Sequence, residues 1–163
     1  MVRFKIIQID PKEWAARFAS SAHVAVFGEH RPGYSNRIDY ALLVIDVERD
    51  VPVAYLTARE LDHESIYWQY GGSFKPHFRP HTALTIYNQL IAWHGERYKR
   101  VSTFTKNDNL EYLRIALKCG FLVIGTRTFN GDILLDLLNS FDEEVRDGLV
   151  DTTCDDGGGR GEK

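Results

Sequence analysis

The residues of this chain best suited to chemistry fall between positions 62 and 119. His77 and His81 stand four apart, a spacing that sets two imidazoles on one helical face for a metal. Pro80 lies between them and breaks such a helix, and no third ligand has matching spacing, so no metal site is expected. In Asp62-His63-Glu64 the carboxylate of Glu64 could accept a proton from an amine, or the triplet is an ordinary charged turn. Tyr67, Trp68 and Tyr70 alternate along one short segment, where each either lines a cleft or packs in the core. With Phe74, Lys75, Phe78 and Arg79 they form an aromatic and basic run of the kind that stacks bases. The formal charge of −3 opposes that use, so nucleic acid is not an expected partner. Cys119 has no neighbour in sequence to lower its pKa and reads as a small buried hydrophobe rather than a nucleophile.

Two helix starts complete the chemical inventory. Pro76 and Pro80 force extended geometry on the residues before them, so a helix can begin only at about Pro80. Its first turn, Pro80-His81-Thr82-Ala83-Leu84, would offer unpaired N–H groups and the positive end of a helix dipole, a favourable seat for a pyrophosphate. Arg79 stands just before it and could add a charge-assisted bond. The second start is Asn107-Asp108-Asn109, where Asn109 is either a plain N-cap or a residue that also meets a cofactor.

These residues need a scaffold, and the hydrophobic pattern supplies one. A strand over residues 3 to 9 is followed by Asp10-Pro11-Lys12-Glu13, an acidic cap with proline at the first helical position and a glutamate able to reach back. Trp14, Ala15 and Phe18 give that helix an apolar face, and a second helical piece is expected over Ala22 to Phe27, before the glycine- and proline-rich loop 28 to 36. Ile38 to Val47, Val53 to Arg59 and Ser65 to Tyr70 read as strands of an antiparallel meander, with Gly71-Gly72 a bulge or bend. A helix from Pro80 to a stop at Gly95 precedes a strand over Val101 to Thr105, then a helix carrying Leu110, Leu113 and Leu117 that ends at Gly120. Phe121 to Thr128 and Asp132 to Leu138 flank the hairpin signal Asn130-Gly131, and a last helix is expected from Ser140, with Glu143, to Gly148.

At 163 residues, 44% apolar and 26% charged, the chain has room for one α/β domain, expected over residues 1 to 150. Residues 151 to 163, with Asp155-Asp156-Gly157-Gly158-Gly159, have little to bury and are expected to be a disordered tail. No apolar run reaches membrane-spanning length and the first residues lack the apolar core of a secretory signal, so a cytoplasmic protein with Cys119 and Cys154 as free thiols is expected.

The element order over residues 3 to 138 resembles the GNAT superfamily of N-acyltransferases, which use acetyl-CoA or another acyl-CoA. Phe74-Lys75-Pro76-His77-Phe78-Arg79 is similar to the family segment that leads from the fourth strand into the phosphate turn, and Asn109, a helix and Cys119-Gly120-Phe121 are similar to its asparagine, helix and Gly-Phe signature. The resemblance implies a mixed central sheet flanked by helices. It also implies an acyl-CoA held by Phe74, Lys75, Pro76, Arg79, Pro80, His81, Thr82, Ala83, Leu84 and Asn109, with its pantetheine arm between two splayed strands. Glu64 or a water would take the amine proton, and the acceptor would be a small-molecule amine or a protein amine. Departures go with it: Thr82 and Leu84 occupy the two small positions of the family's phosphate turn, and Ala116 stands where the family often has a tyrosine, leaving Tyr112 one turn earlier as the acid for the departing thiolate. A GNAT-shaped binding or structural protein without cofactor is the alternative that these departures support.

Overall fold

The computed structural model describes residues 3–28, 37–74 and 79–142. Seven strands form one mixed sheet in the order β1-β2-β3-β4-β5-β7-β6: β1 (Phe4–Ile9), β2 (Tyr40–Asp46), β3 (Val51–Asp62), β4 (Ser65–Ser73), β5 (Arg100–Lys106), β6 (Leu122–Phe129) and β7 (Asp132–Ser140). Every neighbouring pair is antiparallel except β4 and β5, which are parallel and joined by the crossover helix α3 (Pro80–Gly95). The expected α/β class is therefore the observed one.

The amino-terminal helical segment is continuous, where two pieces were expected: α1 (Pro11–Glu13), a π-helical turn over Trp14–Phe18 and α2 (Ala19–Phe27). Asp10 caps it as expected, accepting from the N–H groups of Lys12 and Glu13. Glu13 does not reach back to the cap; its carboxylate meets Arg17 at 3.0 Å one turn on. The wider π turn keeps Trp14, Ala19 and Ala22 together on the sheet, where they pack with Ala41 and Tyr55. The other face of the sheet carries the main core, in which Leu56, Ala58, Ile66 and Trp68 meet Ala83, Ile86, Tyr87 and Leu90 of α3 and Ile115 and Ala116 of α4 (Leu110–Lys118). Tyr55 and Leu56 fall into different clusters because neighbouring strand residues point to opposite faces.

Local rules set the connections. Gly120 follows α4 at φ +87°, with Phe121 N–H donating to Ala116 O and Gly120 N–H to Leu117 O, the paired bonds of a Schellman cap. Asn130 and Gly131 both have positive φ, so the β6–β7 hairpin turns in two residues as the sequence signalled. Three expectations need correction. Gly71 and Gly72 lie inside β4, in register with Leu56 and Tyr55, and the irregularity falls earlier, where Thr57 pairs with Tyr70 but Ala58 with Trp68 and Gln69 is the extra residue. The glycines answer to space instead: a Cβ at 71 would stand 2.7 Å from the Tyr55 carbonyl oxygen and one at 72 would stand 2.6 Å from Val26 of α2. Gly95 closes α3 without a positive φ, and its missing side chain makes room for the ring of Phe141, 2.9 Å from a Cβ placed there. Ser140, expected to open a helix, is the last residue of β7. The remainder of that expected helix, the loop 29–36 and the tail 151–163 lie outside the described residues.

Candidate active site

The parallel β4–β5 ladder ends early. Only Ser65 with Arg100, Ile66 with Val101 and Tyr67 with Ser102 are paired, although β4 runs on to Ser73 and β5 to Lys106. Beyond that point a cleft of about 750 Å³ opens, within the range of small-ligand sites. Trp68, Gln69, Tyr70 and Gly71 of β4 line one wall, Thr103, Phe104, Thr105 and Lys106 of β5 the other.

Backbone direction follows from the pairing of β4 with β3. Phe74 N–H donates to Val53 O at 2.8 Å, and in an antiparallel ladder the bonded pairs recur at every second residue. Gly72 therefore turns its amide to β3, while Gly71 and Ser73 turn theirs to the side where β5 has diverged. The extra residue Gln69 sets the side chains as well. Trp68 belongs to the core under α3 and Tyr70 to the cluster under α2; without the bulge, residues 68 and 70 would share a face. Gln69 Oε1 is buried without a hydrogen-bond partner and the residue lines the cleft.

Tyr112, expected from the sequence, is in the cleft lining. Its ring meets Tyr87 edge-on at 5.6 Å, and burial pushes its hydroxyl up to about 12, against a weaker opposing bond to Thr103. Asn109 also lines the cleft while its side chain caps α4, accepting from Tyr112 N–H at 3.3 Å, so the two alternatives raised for it are not exclusive. Ala116 is wholly buried in the main core.

Glu64 is not brought to the cleft. It sits at the turn into β4, at the end where β4 and β5 are still paired, with Lys99 Nζ at 2.5 Å and Arg100 Nη2 at 3.2 Å. The bond from Lys99 holds its carboxyl below the usual range, which makes it a weaker base. Nor is any of Phe74, Arg79, Pro80, His81, Thr82, Ala83 and Leu84 in the described lining. Phe74 stacks on Tyr55 at 6.1 Å in the cluster under α2. Arg79 is the extended cap residue of α3, Pro80 its first residue as expected, and among the described residues no side chain caps the turn, so the N–H groups of His81 and Thr82 have no partner within the helix. Ala83 is buried in the core and Leu84 is half-buried. Lys75 and Pro76, with His77 and Phe78, lie outside the described residues.

The lining also holds His23 and Phe27 of α2 and Tyr87 of α3, which the sequence did not single out for this purpose, and Arg127, Phe129, Asn130 and Asp132 of the final hairpin, expected from the sequence to shape the acceptor pocket only as a segment. His23 is buried, 4.5 Å from the ring of Phe27 and 5.8 Å from that of Tyr70. Asp132 is ion-paired with Lys106 at 2.7 Å and Arg127 with Asp136 at 3.0 Å. Among the described residues no group of three or more His, Cys, Asp or Glu is placed to hold a metal ion, and no helix is long and apolar enough to cross a membrane.

The chain as a whole is similar in fold to solved acetyltransferases. Mutant forms of the spermidine/spermine N-acetyltransferase SpeG from Vibrio cholerae superpose with a TM-score of 0.66 over 93% of this chain and 99% of that one, at 11% identity. The fold is that of the GNAT acetyltransferases. An IAA acetyltransferase from Bacillus cereus ATCC 14579 gives 0.65 over 85% and 99% at 12% identity. The Vibrio cholerae spermidine N-acetyltransferase in complex with CoA and spermine gives 0.66 over 84% and 95% at 13% identity. No family model and no curated protein matches the sequence.

Proposed function

We propose that this protein is an N-acyltransferase that moves an acyl group, with acetyl the leading choice, from acyl-CoA to an amine by direct attack. The observation that carries the reading is the early end of the β4–β5 ladder, which leaves outward-facing amides of β4 without a strand partner among the described residues, beside a cleft of about 750 Å³. Similarity in fold to acetyltransferases, one of them in complex with CoA and spermine, supports it. An extended pantetheine arm would add to the free edge of β4 by main-chain hydrogen bonds. The Gly71 N–H would then polarise the thioester carbonyl as negative charge develops on its oxygen.

The pyrophosphate is assigned to the uncapped first turn of α3, with Arg79 as its cationic partner and Pro80, His81, Thr82, Ala83 and Leu84 supplying the turn. Tyr112, in the cleft lining, would meet the departing sulfur. With a hydroxyl at about 12, it keeps its proton against a thiolate whose ordinary pKa is about 8.5 and stabilises it by hydrogen bonding rather than by full transfer. The attacking amine must lose a proton inside the cleft. Of the lining groups able to take it, Asp132 is ion-paired with Lys106, and the role is assigned to the imidazole of His23, or a water it orients, on the α2 wall of the cleft in place of Glu64.

Thermal denaturation with nucleotide tests the assignment. Acetyl-CoA at a hundred times its Kd should stabilise the fold by about 2.7 kcal/mol, and desulfo-CoA should do nearly as well. Arg79→Ala should weaken both ligands equally, by about 1.5 to 3 kcal/mol. No rise in Tm at millimolar acetyl-CoA overturns the reading in favour of a GNAT-shaped protein without cofactor.

A further inference from the structure

Resting on the acyltransferase reading, we propose that the acceptor is an amine that bears an aromatic ring and a carboxylate, bound on the α2 face of the cleft with its carboxylate on Arg127, and not a linear polyamine. Shape and surface chemistry come first. Tyr67 lies on the face opposite Trp68 by strand alternation, and the bulge at Gln69 brings Tyr70 to that same face, the one covered by α2. On β5, Phe104 stacks on Tyr67, their centroids 6.3 Å apart and planes at 20°. His23, Phe27, Tyr70, Phe104 and Phe129 all line the cleft. Aromatic walls on several sides suit a planar ring, which gains both burial and edge or stacked contacts. A flexible polyamine chain offers neither ring nor comparable apolar area.

Charge separates the candidates further. A polyamine needs a carboxylate for each buried ammonium. The lining has one among the described residues, Asp132, and Lys106 already stands 2.7 Å from it. Arg127 is held differently: its Nε meets Asp136 Oδ1 and its guanidinium lies 4.8 Å over the Phe104 ring. Anchored through Nε, by stacking and by a hydrogen bond to the Tyr67 hydroxyl, the guanidinium fork still has N–H groups to offer a carboxylate in a fixed orientation. Arg59 lies 5.4 Å over Tyr67 on the same face, and among the described residues no carboxylate pairs with it. The chain carries a formal charge of −3, yet this face sets Arg59, Lys106 and Arg127 against Asp132 and Asp136, a local excess of positive charge. A ligand held by Arg127 with its ring among Tyr70, Phe104 and Phe27 would present its amine toward His23.

The test is calorimetric titration of the whole chain with phenylalanine, its decarboxylated counterpart phenethylamine, and spermidine, each without nucleotide and again with desulfo-CoA. Phenylalanine should bind at least about tenfold tighter than phenethylamine, the loss of one hydrogen bond to a charged group. Spermidine should bind weakest. Arg127→Ala should abolish the preference for phenylalanine over phenethylamine while leaving phenethylamine unchanged, and Arg127→Lys should restore part of it. Equal binding of the two aromatic ligands, tightest binding of spermidine, no binding of any, or an unaltered preference in Arg127→Ala each overturns the proposal. Acetyl-CoA titrated separately reads the acyltransferase assignment: its failure to bind would remove that assignment and leave the ligand preference standing on its own result.

Discussion

His94 is wholly buried, ringed by Tyr40, Trp68, Trp93 and Tyr98 at centroid distances of 4.8 to 6.3 Å. Its Nδ1 lies 3.0 Å from Leu90 O, so Nδ1 carries the hydrogen, and Nε2 is buried without a partner. Burial outweighs the Leu90 bond and lowers the imidazole from 6.5 to about 4. A histidine with a depressed folded pKa is neutral in the fold but takes up a proton when unfolded below about 6.5. Stability is therefore full above pH 6.5 and falls as pH drops toward 4, by up to about 3 kcal/mol. Urea unfolding at pH 7.5 and pH 4.5 should show that loss, and His94→Leu should flatten it; an equal slope in both proteins would mean that other groups carry the dependence. A second residue-scale prediction separates the two candidate bases. His23→Asn should lower kcat by about a hundredfold or more. Glu64→Gln should leave kcat nearly unchanged, because its carboxylate is spent on Lys99 and Arg100 away from the cleft. The reverse pattern would return the role to Glu64.

Among the elements, those written in local rules were legible in the sequence. The Asp10 cap, the start of α3 at Pro80, the Asn109 cap, the Gly120 stop and the Asn130-Gly131 hairpin each depend on the conformational preference of one or two residues, and all five stand in the structure. Gly71 and Gly72 were not legible, because nothing local says that the Tyr55 carbonyl and Val26 will approach them. The cleft divides in the same way: Asn109 as a cap follows from local preference and Tyr112 was named through the family resemblance, whereas His23 and Arg127 reach the cleft only through packing of α2 and the β6–β7 hairpin on distant strands. The two kinds of glycine predict different mutational behaviour. Gly120→Val forces a β-branched side chain into the left-handed region and should cost about 1 to 2 kcal/mol. Gly71→Ala leaves the dihedral angles acceptable but overpacks against backbone, at about 1 to 3 kcal/mol. Shortening Leu56 to Ala should not relieve the second, since the nearest atom is the Tyr55 oxygen rather than the Leu56 side chain. Urea denaturation of the single and double variants tells whether backbone or side chain sets the limit.

At the scale of the whole molecule, the sheet is two antiparallel blocks, β1 to β4 and β5 with β7 and β6, joined along a parallel seam of three residue pairs. Each block is held by long ladders, six pairs between β1 and β2 and seven between β5 and β7. The seam is reinforced from one side by α3 and α4, which pack under Trp68, Val101 and Phe121. It is open where the chemistry is proposed. Such a division has a consequence for amide exchange, because exchange reports which backbone groups are held by the fold alone. In the free protein, Gly72, whose amide turns to β3, should exchange slowly, while Gly71 and Ser73, whose amides turn to the open side, should exchange faster despite lying on the same strand. Alternation within one strand is a signature that fraying of its end cannot produce, since fraying would release neighbouring amides in order. Adding desulfo-CoA should slow Gly71 and Ser73 and leave Gly72 unchanged, as main-chain pairing with an extended arm requires. If all three amides exchange at one rate, or if nucleotide protects them equally, β4 does not offer a free edge and the cleft holds its ligand by side chains instead.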